Sequence, residues 1–322
     1  MSGLQQLQKL TVAGRLPELS FLLVQLRAVD LGYCEHSQQL GAVMPLQQLP
    51  ALSCVVGFEQ QEPLLRLTQL PALQELGLFM MQLDWMAAVA TAPAWGRLPQ
   101  LRHLELQCCG LQGTRPQLAA VIAGSAAATA LTKLVLWLPR MIDDLDAGEE
   151  QQAVEDVGGG QQRGPLDICA SIAGLTRLKH LEITGLQEVA TSAGLASGLP
   201  GDVLALTALT ALTHLRLSDG GACVGDAAAV ALACSLKALR HLDLSDCGLG
   251  AMACLGAIAH LRQLSCLHSQ GNPGITPQGL MMLTRLHNST TLVVDKNDEM
   301  SDDVLKSFWL STARCLRSSK LA

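Results

Sequence analysis

One phrase of leucines occurs twice in this chain, and it constrains the fold more than any other feature. LRHLDLSDCGLG runs from Leu239 to Gly250, and LRHLELQCCGLQG, from Leu101 to Gly113, has the same leucines, histidine and cysteine. The residues between the leucines differ. Because the leucine spacing is kept while the intervening side chains change, the phrase predicts a structural unit that the chain repeats.

The phrase follows the frame L-x-x-L-x-L-x-x-(N/C)-x-L, and further copies occur along nearly the whole chain. Good copies begin at Leu73, Leu101, Leu131, Leu178, Leu212, Leu239 and Leu264. Weaker copies begin at Leu7, Leu26, Leu52 and Ser289. These copies, about eleven in all, recur every ~28 residues on average, and the frame resembles the leucine-rich repeat family, whose period is ~20–29 residues.

The frame predicts an α/β solenoid, shaped as a horseshoe or arc, over residues 1–300. Side chains alternate between the two faces of a strand, so the fourth and sixth positions, such as Leu242 and Leu244, point into the core. Strands of successive copies pair in parallel and form the concave sheet. The return segments Gly225 to Leu239 and Gly250 to Leu261 are rich in Ala and Leu at helical spacing, which predicts short convex helices.

Composition agrees with a core made of similar layers. Hydrophobic residues make up 49% of the chain, but aromatic residues only 3%, and leucine alone can fill small repeated layers. At the ninth position, where the family uses asparagine to bond the backbone of the turn, this chain has Cys109 and Cys247. A thiol is small and a weak donor, so we interpret both cysteines as structural, and as reduced thiols of a cytoplasmic or organellar protein.

Two segments depart from the frame. Residues 139–165 contain seven acidic residues, two arginines and three consecutive glycines, which predicts an acidic, Gly-rich loop insertion. Residues 301–322 are predicted to form a C-terminal capping helix and tail, with Ser301 as the N-cap, because the open end of a solenoid needs a cover. The apolar residues expected to close the last leucine layer are Leu305, Phe308, Trp309 and Leu316.

The third position of the frame points away from the core, and histidine is frequent there. Four of the eight histidines occupy it, three of them in consecutive copies: His103, then His180, His214 and His241. Zinc usually needs three or four convergent ligands, whereas side chains on a flat sheet diverge, so we expect no metal and no cofactor. A pH-sensitive contact with an acidic partner is the alternative hypothesis, since protonated neighbouring imidazoles repel and a carboxylate would relieve them.

Aromatic residues are scarce and fall on outward positions. Of the nine (four Trp, four Phe and one Tyr), four lie on predicted exposed positions of the N-terminal half. Exposed aromatic side chains often anchor interfaces, although packing beneath a loop is the alternative. The predicted partner-binding residues of the concave face are Tyr33, Phe58, Phe79, Met80, His103, Glu105, Trp137, His180, Glu182, His214, Arg216, His241 and Asp243.

The sequence carries no signature of catalysis. P-loop, GxSxG, HExxH and Rossmann motifs are missing, and Cys108 and Cys109 near His103 have no identifiable orienting group. A net charge of −6 without a Lys/Arg-rich run argues against a nucleic-acid partner, and no apolar run approaches the ~18 residues of a membrane span. The resemblance therefore implies a non-catalytic scaffold that binds a protein partner through its concave face.

The resemblance leaves narrower roles open. Copies phrased as LTxLTxLxLSD, from Leu206 to Asp219, resemble intracellular repeats of plant or algal proteins. That type implies a cytoplasmic protein and, among other roles, a cytoskeletal or axonemal scaffold, an immune-like sensor or the substrate-recognition arm of a ubiquitin ligase. A regulator of a small GTPase of the Ran-activating kind is a further alternative, but that family has a strongly acidic tail where this chain has the basic ARCLRSSKLA.

Overall fold

Parallel strands form a single sheet, and their order in the sheet follows the chain from β1 to β11. The computed structural model describes residues 9–11, 26–34, 48–56, 70–80, 93, 95–108, 122–138, 168–186, 201–286, 288, 290–295, 297 and 300–318. The strands are β1 (Lys9–Thr11), β2 (Ala28–Cys34), β3 (Ala51–Val56), β4 (Glu75–Met80), β5 (His103–Cys108), β6 (Lys133–Trp137), β7 (His180–Thr184), β8 (His214–Ser218), β9 (His241–Asp243), β10 (Cys266–His268) and β11 (Thr291–Val293). The predicted α/β solenoid with a concave parallel sheet is confirmed.

Leucines stack on leucines because the register pairs equivalent positions of neighbouring copies. Leu181 pairs with Leu215, and Leu215 pairs with Leu242. All three are buried and belong to one continuous apolar cluster that extends from Leu26 to Phe308. Each fully buried leucine side chain contributes roughly 1.5–3 kcal/mol relative to an exposed one, so this stacking is the main source of stability.

One carbonyl of each copy fixes the start of the following strand. The Thr213 carbonyl accepts hydrogen bonds from the backbone N–H groups of Arg240 at 2.8 Å and His241 at 3.0 Å. The Lys179 carbonyl accepts from Thr213 and His214 at the same distances, 2.8 Å and 3.0 Å. The Thr213 hydroxyl also donates to that Lys179 carbonyl at 3.0 Å. Third-position residues are therefore held at one level across the sheet.

The return segments form short helices beside the sheet, as predicted. The α-helices of the described part include α1 (Ile168–Ile172), α2 (Gly201–Leu204), α3 (Gly225–Ser235), α4 (Met252–Ala259), α5 (Pro277–Met282) and α6 (Asp302–Ser318). Helix α3 packs beside α4, and α4 beside α5. Small buried residues such as Ala228, Ala229 and Ala233 allow α3 to lie close to the sheet.

Asn272, at the ninth position of its copy, holds the turn that follows β10. Its buried side-chain oxygen accepts hydrogen bonds from the backbone N–H groups of Cys247 at 3.1 Å and Leu249 at 2.9 Å. Its amide nitrogen donates to the carbonyls of Leu244 at 2.8 Å and Ser269 at 3.0 Å. One side chain thus joins two successive copies and satisfies backbone groups that would otherwise be buried without partners.

Cys247 occupies the same ninth position one copy earlier. Its thiol donates to the Leu217 carbonyl of the preceding copy, and its side chain is fully buried. Burial raises the pKa of this thiol far above its usual value, so it stays protonated. The structural interpretation of Cys247 is confirmed, whereas Cys109 lies outside the described residues.

The copy assigned to Leu52 begins three residues earlier than predicted. Ala51, not Cys54, pairs with Glu75 in the third position, so Leu49 opens this copy. Cys54 pairs with Leu78, which is a sixth-position core residue. The frame from Leu49 places Leu52 at the fourth position, where it is buried and pairs with the buried Leu76.

Helix α6 follows the last strand and shares the core of the array. The Ser301 hydroxyl accepts a hydrogen bond from the Val304 N–H at 3.4 Å, as an N-cap does. Phe308 is fully buried in the common cluster, and Leu305 packs against it. Trp309, which was expected to cover the last layer as well, is instead 46% exposed. We propose that α6 closes this end of the array through Phe308.

Three further predictions concern the acidic insertion, membrane-spanning helices and the state of the cysteines. The acidic insertion predicted at residues 139–165 lies outside the described residues. Within the described part, no helix is long and apolar enough to cross a membrane. The cysteines that the structure describes in full form no disulfide with one another: Cys169, Cys223, Cys234, Cys247, Cys254 and Cys266.

Replacement of Asn272 by alanine should destabilise the array. The substitution leaves buried N–H and carbonyl groups of two copies without partners, and each such group costs about 1–3 kcal/mol, so we expect a loss of roughly 2–4 kcal/mol. Asn288→Ala is the matched control, because Asn288 is exposed and, among the described residues, its side chain donates to the Arg262 carbonyl alone. Urea unfolding followed by circular dichroism measures the unfolding free energy of both variants. Equal decreases for Asn272→Ala and Asn288→Ala would contradict the role of Asn272.

Phe308 and its neighbour Trp309 offer a paired test of the capping role of α6. Phe308→Ala opens a cavity in the last layer and should cost about 3–5 kcal/mol of unfolding free energy. Trp309→Ala removes a side chain that is nearly half exposed, so its cost should stay below about 1 kcal/mol. Thermal and urea unfolding measure the difference, and a larger loss for Trp309→Ala would show that α6 packs by its other face.

Candidate interaction groove on the concave sheet

Three histidines from consecutive copies stack on one another across the concave face. His180 pairs with His214 and His214 with His241 in the strand register. Their ring centroids are 5.1 Å and 5.7 Å apart, and the planes of neighbouring rings differ by 17°. The row of histidines predicted from the third position of the frame is confirmed. The three half-buried rings share one environment.

A fourth imidazole, not predicted as part of this row, extends the stack. His268 meets His241 edge to face, with ring centroids 5.4 Å apart. It occupies the fifth position of the next copy, so it is a diagonal neighbour rather than a register partner. Diagonal neighbours lie ~7–8 Å apart, within reach of aromatic side chains. A search of the sequence for diagonal as well as directly paired histidines would have found it.

Two carboxylates of the fifth position have partners in this face. Glu182 accepts a hydrogen bond from His180 Nε2 at 2.5 Å, and this bond is the main reason why the pKa of Glu182 lies below its usual value. Asp243, almost fully buried, lies 3.2 Å from Arg216 Nε through Oδ2. Its Oδ1 accepts from the Ser245 N–H at 3.0 Å and from the Ser245 hydroxyl at 2.6 Å. These bonds lock Asp243 in place.

The central imidazoles are less basic than free histidine. Burial, then the neighbouring positive charges of His180 and Arg240, lower the pKa of His214. Burial, then His268 and His214, lower the pKa of His241. Because the ordinary histidine pKa is ~6.5, both rings are predominantly neutral at pH 7, and neutral rings can stack without charge repulsion.

Aspartates collect where the strands end. Asp219 and Asp246, at the eighth position of their copies, have left-handed backbones with φ of 56° and 55°. Asp295 lies on the same edge and accepts hydrogen bonds from the Gln270 side chain at 3.3 Å and the Gly271 N–H at 2.8 Å. Burial, then the charges of Asp219 and Asp295, raise the pKa of Asp246. The negative charges of Asp219 and Asp295 therefore repel that of Asp246.

Together these residues line a groove of about 820 Å³ over β6 to β11. Trp137, which is 42% exposed, stands at the β6 end. One guanidinium, that of Arg216, faces five carboxylates in the lining. The carboxylates are Glu182, Asp219, Asp243, Asp246 and Asp295. With the central imidazoles neutral, the groove is negative at pH 7.

His103 lies outside the stack because Lys133 separates it from His180 in the row. Its Nδ1 is 3.9 Å from Glu75 Oε2, and its buried Nε2 has no hydrogen-bond partner among the described residues. Burial, with the charges of Lys133 and His180, lowers the pKa of His103 to about 4. Glu105 lies two residues along the same strand and is half-buried. The structure thus separates His103 and Glu105 from the groove.

Three of the four aromatic residues predicted as anchors, Tyr33, Phe79 and Trp137, occupy one row of the sheet. An irregularity in β2 after Asp30 shifts Tyr33 by one place, so that its backbone pairs with Val55 in the seventh position rather than the predicted eighth. The register continues from Val55 to Phe79 and, through β5, to Trp137. Phe79 is half-buried and Trp137 exposed. This exposure favours Trp137 as an anchor over packing beneath a loop.

Two further predicted anchors are not placed by the structure. Phe58 was predicted at the seventh position of β3, but Val55 occupies that position because the copy starts at Leu49, and Phe58 lies outside the described residues. The backbone of Met80 pairs with Cys108 in β5. The side chains of Met80 and Tyr33 lie outside the described part.

The described side chains offer no metal site. Among them, no group of three or more His, Cys, Asp and Glu residues is arranged to hold an ion. The stacked imidazoles lie face to face, so their nitrogens do not converge on one point as tetrahedral zinc ligands do.

Comparison with known proteins identifies the repeat. A family model described as Leucine Rich repeat matches residues 236–251, which include one of the two copies of the opening phrase. No curated protein is significantly similar to the chain in sequence. The TLR13–ssRNA13 crystal structure superposes with a TM-score of 0.53 at 17% identity, over 90% of this chain and 36% of that chain. This chain thus corresponds to about a third of TLR13, and the likeness concerns the fold.

Two other solved structures superpose less well. An internalin, inlF, of Listeria monocytogenes has a TM-score of 0.47 at 15% identity, covering 95% of this chain and 85% of that chain. The ectodomain of the Arabidopsis receptor kinase HAESA has a TM-score of 0.46 at 14% identity, covering 87% of this chain and 43% of that chain.

The low basicity of His103 predicts how stability depends on pH. Its pKa is about 4 in the folded chain and ~6.5 when unfolded, so the folded state resists protonation. Stability should therefore be full above pH 6.5, fall as the pH drops from 6.5 to 4, and level off below. The corresponding free energy is at most about 3 kcal/mol. The lowered pKa values of His214 and His241 act in the same direction.

Urea unfolding at pH 7.5 and pH 4.5 tests this dependence. When the pH is lowered from 7.5 to 4.5, the unfolding free energy of His103→Gln should fall by roughly 2–3 kcal/mol less than that of the wild type. His260→Gln, at an exposed position, is the control and should keep the wild-type dependence. A His103→Gln protein with an unchanged dependence would contradict the assignment.

Proposed function

We propose that this chain, a leucine-rich repeat protein, is a non-catalytic scaffold that captures a protein partner on the concave face of its sheet. One observation carries the proposal: an exposed indole, that of Trp137, stands at the end of a charged groove on an otherwise regular sheet. Tryptophan is enriched among the residues that dominate binding energy at protein interfaces. A large apolar side chain beside fixed polar groups is the usual composition of such a site.

The surroundings of Trp137 support this role. The large apolar side chains exposed in the described part are Trp137, Leu204, Met252, Met281, Trp309 and Leu310, and Trp137 alone among them lies on a strand. Next to it in the same row are Thr184 and Ser218, whose hydroxyls bond to each other at 3.1 Å. These smaller side chains leave one face of the indole open, where a partner side chain can pack.

One thiol of the concave face has the neighbours of a catalytic nucleophile, and its chemistry argues against that function. Cys266 Sγ lies 3.4 Å from His268 Nε2, and His268 Nδ1 lies 3.6 Å from Asp243 Oδ2. The second distance exceeds a normal hydrogen bond, because Asp243 is held by Arg216 and Ser245 instead. Burial also raises the pKa of the Cys266 thiol, which disfavours the reactive thiolate.

The charge of the groove supports a protein partner rather than nucleic acid. Phosphate backbones are bound mainly by Lys and Arg side chains, whereas carboxylates predominate in this groove. We place the protein in the cytoplasm, where a cytoskeletal or axonemal scaffold is one role of this kind. Thiols that are buried and free, such as Cys247 and Cys254, support a reducing compartment.

Replacement of Trp137 by alanine should abolish capture and leave the fold intact. The full chain is immobilised, and proteins retained from a cell lysate are quantified by mass spectrometry for the wild type, Trp137→Ala and Trp309→Ala. Loss of an interface tryptophan costs about 2 kcal/mol or more, so specific partners should fall by roughly 30-fold with Trp137→Ala. Trp309 is exposed to a similar degree but lies on α6, so its variant should retain them.

Unfolding curves of the three proteins accompany the capture experiment. All three should unfold at similar urea concentrations. If Trp137→Ala retained the same partners as the wild type, the concave face would not be the site of capture. If Trp137→Ala lost its fold, the indole would belong to the core, and its assignment as an anchor would be wrong.

A further inference from the structure

The groove contains carboxylates that contact a described His or Arg side chain and carboxylates that do not. Glu182 is bonded to His180, and Asp243 is bonded to Arg216 and Ser245. By contrast, no described cation lies within ion-pair distance of Asp219, Asp246 or Asp295. Asp246 and Asp295 are exposed, and Asp219 is half-buried. These three carboxylates, which have no adjacent cation among the described residues, form a row along the edge where β8, β9 and β11 end.

The backbone fixes this row. Asp219 and Asp246 adopt left-handed conformations, which asparagine and aspartate tolerate better than most residues. Gly271, between Asp246 and Asp295 in the row, leaves room for the Asp246 carboxylate, because a Cβ atom at that position would clash with it. Asp295 in turn accepts the Gly271 N–H. The carboxylates thus meet a partner in a preformed arrangement, which lowers the entropy cost of binding.

We propose that the partner presents an extended basic segment that crosses the strands of this groove, with its Lys or Arg side chains at Asp219, Asp246 and Asp295. This inference rests on the proposed capture of a protein by the concave face, and it names the chemistry of the captured part. Charge complementarity carries it, since cations on the partner would relieve the mutual repulsion of the three carboxylates.

The dimensions of the sheet fit such a segment. Neighbouring strands are ~4.8 Å apart, so the row from β8 to β11 spans roughly 14 Å, and the distance from β6 to β11 is roughly 24 Å. An extended chain advances ~3.3 Å per residue and returns side chains to the same face every ~7 Å. About four to five residues with basic side chains at alternate positions reach all three carboxylates, and an apolar residue farther along reaches Trp137.

The imidazole stack makes this contact sensitive to pH. As the pH falls below about 6.5, the neutral rings of His214 and His241 begin to gain positive charge. The raised pKa of Asp246 means that this carboxylate loses its charge at a higher pH than an ordinary aspartate does. Both changes weaken the electrostatic attraction between the groove and a basic segment. The charged and titratable groups that face the two rings are Lys133 of β6, His180 and Glu182 of β7, Arg216 of β8, Arg240 and Asp243 of β9, and Cys266 and His268 of β10.

The pH dependence separates this inference from the hypothesis raised by the histidine row alone. An acidic partner would bind more tightly as the imidazoles become protonated, whereas a basic segment would bind more weakly. That earlier hypothesis considered the histidines without the aspartates at the strand ends. With the aspartates included, the groove at pH 7 attracts cations.

Fluorescence anisotropy with three labelled dodecapeptides tests the inference on the full chain. Each peptide has one leucine near one end and four identical residues, Lys, Glu or Gln, alternating with Gly and Ser. We expect the Lys peptide to bind at pH 7.5 at least 10-fold more tightly than the other two. It should also bind about 10-fold more tightly at pH 7.5 than at pH 5.5. Tighter binding of the Glu peptide, or binding that strengthens at pH 5.5, would overturn the inference.

Charge-removing variants locate the contact. Asp219→Asn and Asp246→Asn keep side chains that tolerate a left-handed backbone. Each substitution should lower the affinity for the Lys peptide by about 3- to 10-fold. Asp303→Asn removes the same charge from an exposed position on α6 and should leave affinity unchanged. If all three variants weakened binding equally, the attraction would come from net charge alone, and the assignment to the groove would be overturned.

A random dodecapeptide library displayed on phage separates failure of this inference from failure of the proposed function. Enrichment of Lys- and Arg-containing sequences that compete with the Lys peptide supports the inference. Enrichment of acidic or apolar sequences that depend on Trp137 would overturn it while concave-face capture stands. If no sequence is enriched, the inference that the groove binds a basic segment is also rejected. The lysate experiment then decides the proposed function by itself. Tight binding of a single-stranded RNA oligonucleotide would likewise overturn the inference, because the groove would then attract anions.

Discussion

The pairing of leucine with leucine from one copy to the next is the constraint on which the rest of the structure depends. A shift of one residue in any strand would move its apolar side chains from the core to the solvent face, so burial fixes the register of Leu181, Leu215 and Leu242. Once the register is fixed, the residues between the leucines must point outward in rows, whatever their identity. The histidine stack and the aspartate row are consequences of this register, and neither contributes to the core that sets it.

This dependence explains how much of the fold could be predicted from the sequence. Third-position residues were assigned correctly in every copy except the one that begins at Leu49. That copy contains two leucines three residues apart, and both fit the first position of the frame. The irregularity near Tyr33 in β2 was also missed, because an extra residue in a strand depends on the pairing with its neighbour and leaves no periodic mark in the sequence.

The candidate site was predictable in its positions but not in its charge. The stack of His180, His214 and His241 follows from a column of the frame. Which carboxylates contact a cation does not follow, because Asp243 meets Arg216 of the neighbouring strand, whereas Asp219 and Asp246, at the strand ends, have no cation beside them in the described part. A net charge of −6 for the whole chain contains no information on how those charges are distributed. Only the parallel order of the strands brings aspartates from separate copies to one edge.

The same geometry limits how this surface can recognise a partner. A sheet face of short strands encloses little of a ligand, so affinity has to come from contacts spread over several copies rather than from one deep pocket. The register gives those contacts a regular spacing of ~4.8 Å, and an extended chain lying across the strands meets them in sequence. Specificity then depends on the order of charged and apolar side chains along that chain. Because Asp243 is held by its bonds and the backbones of Asp219 and Asp246 are fixed, a segment bound as we propose would meet a surface that need not rearrange.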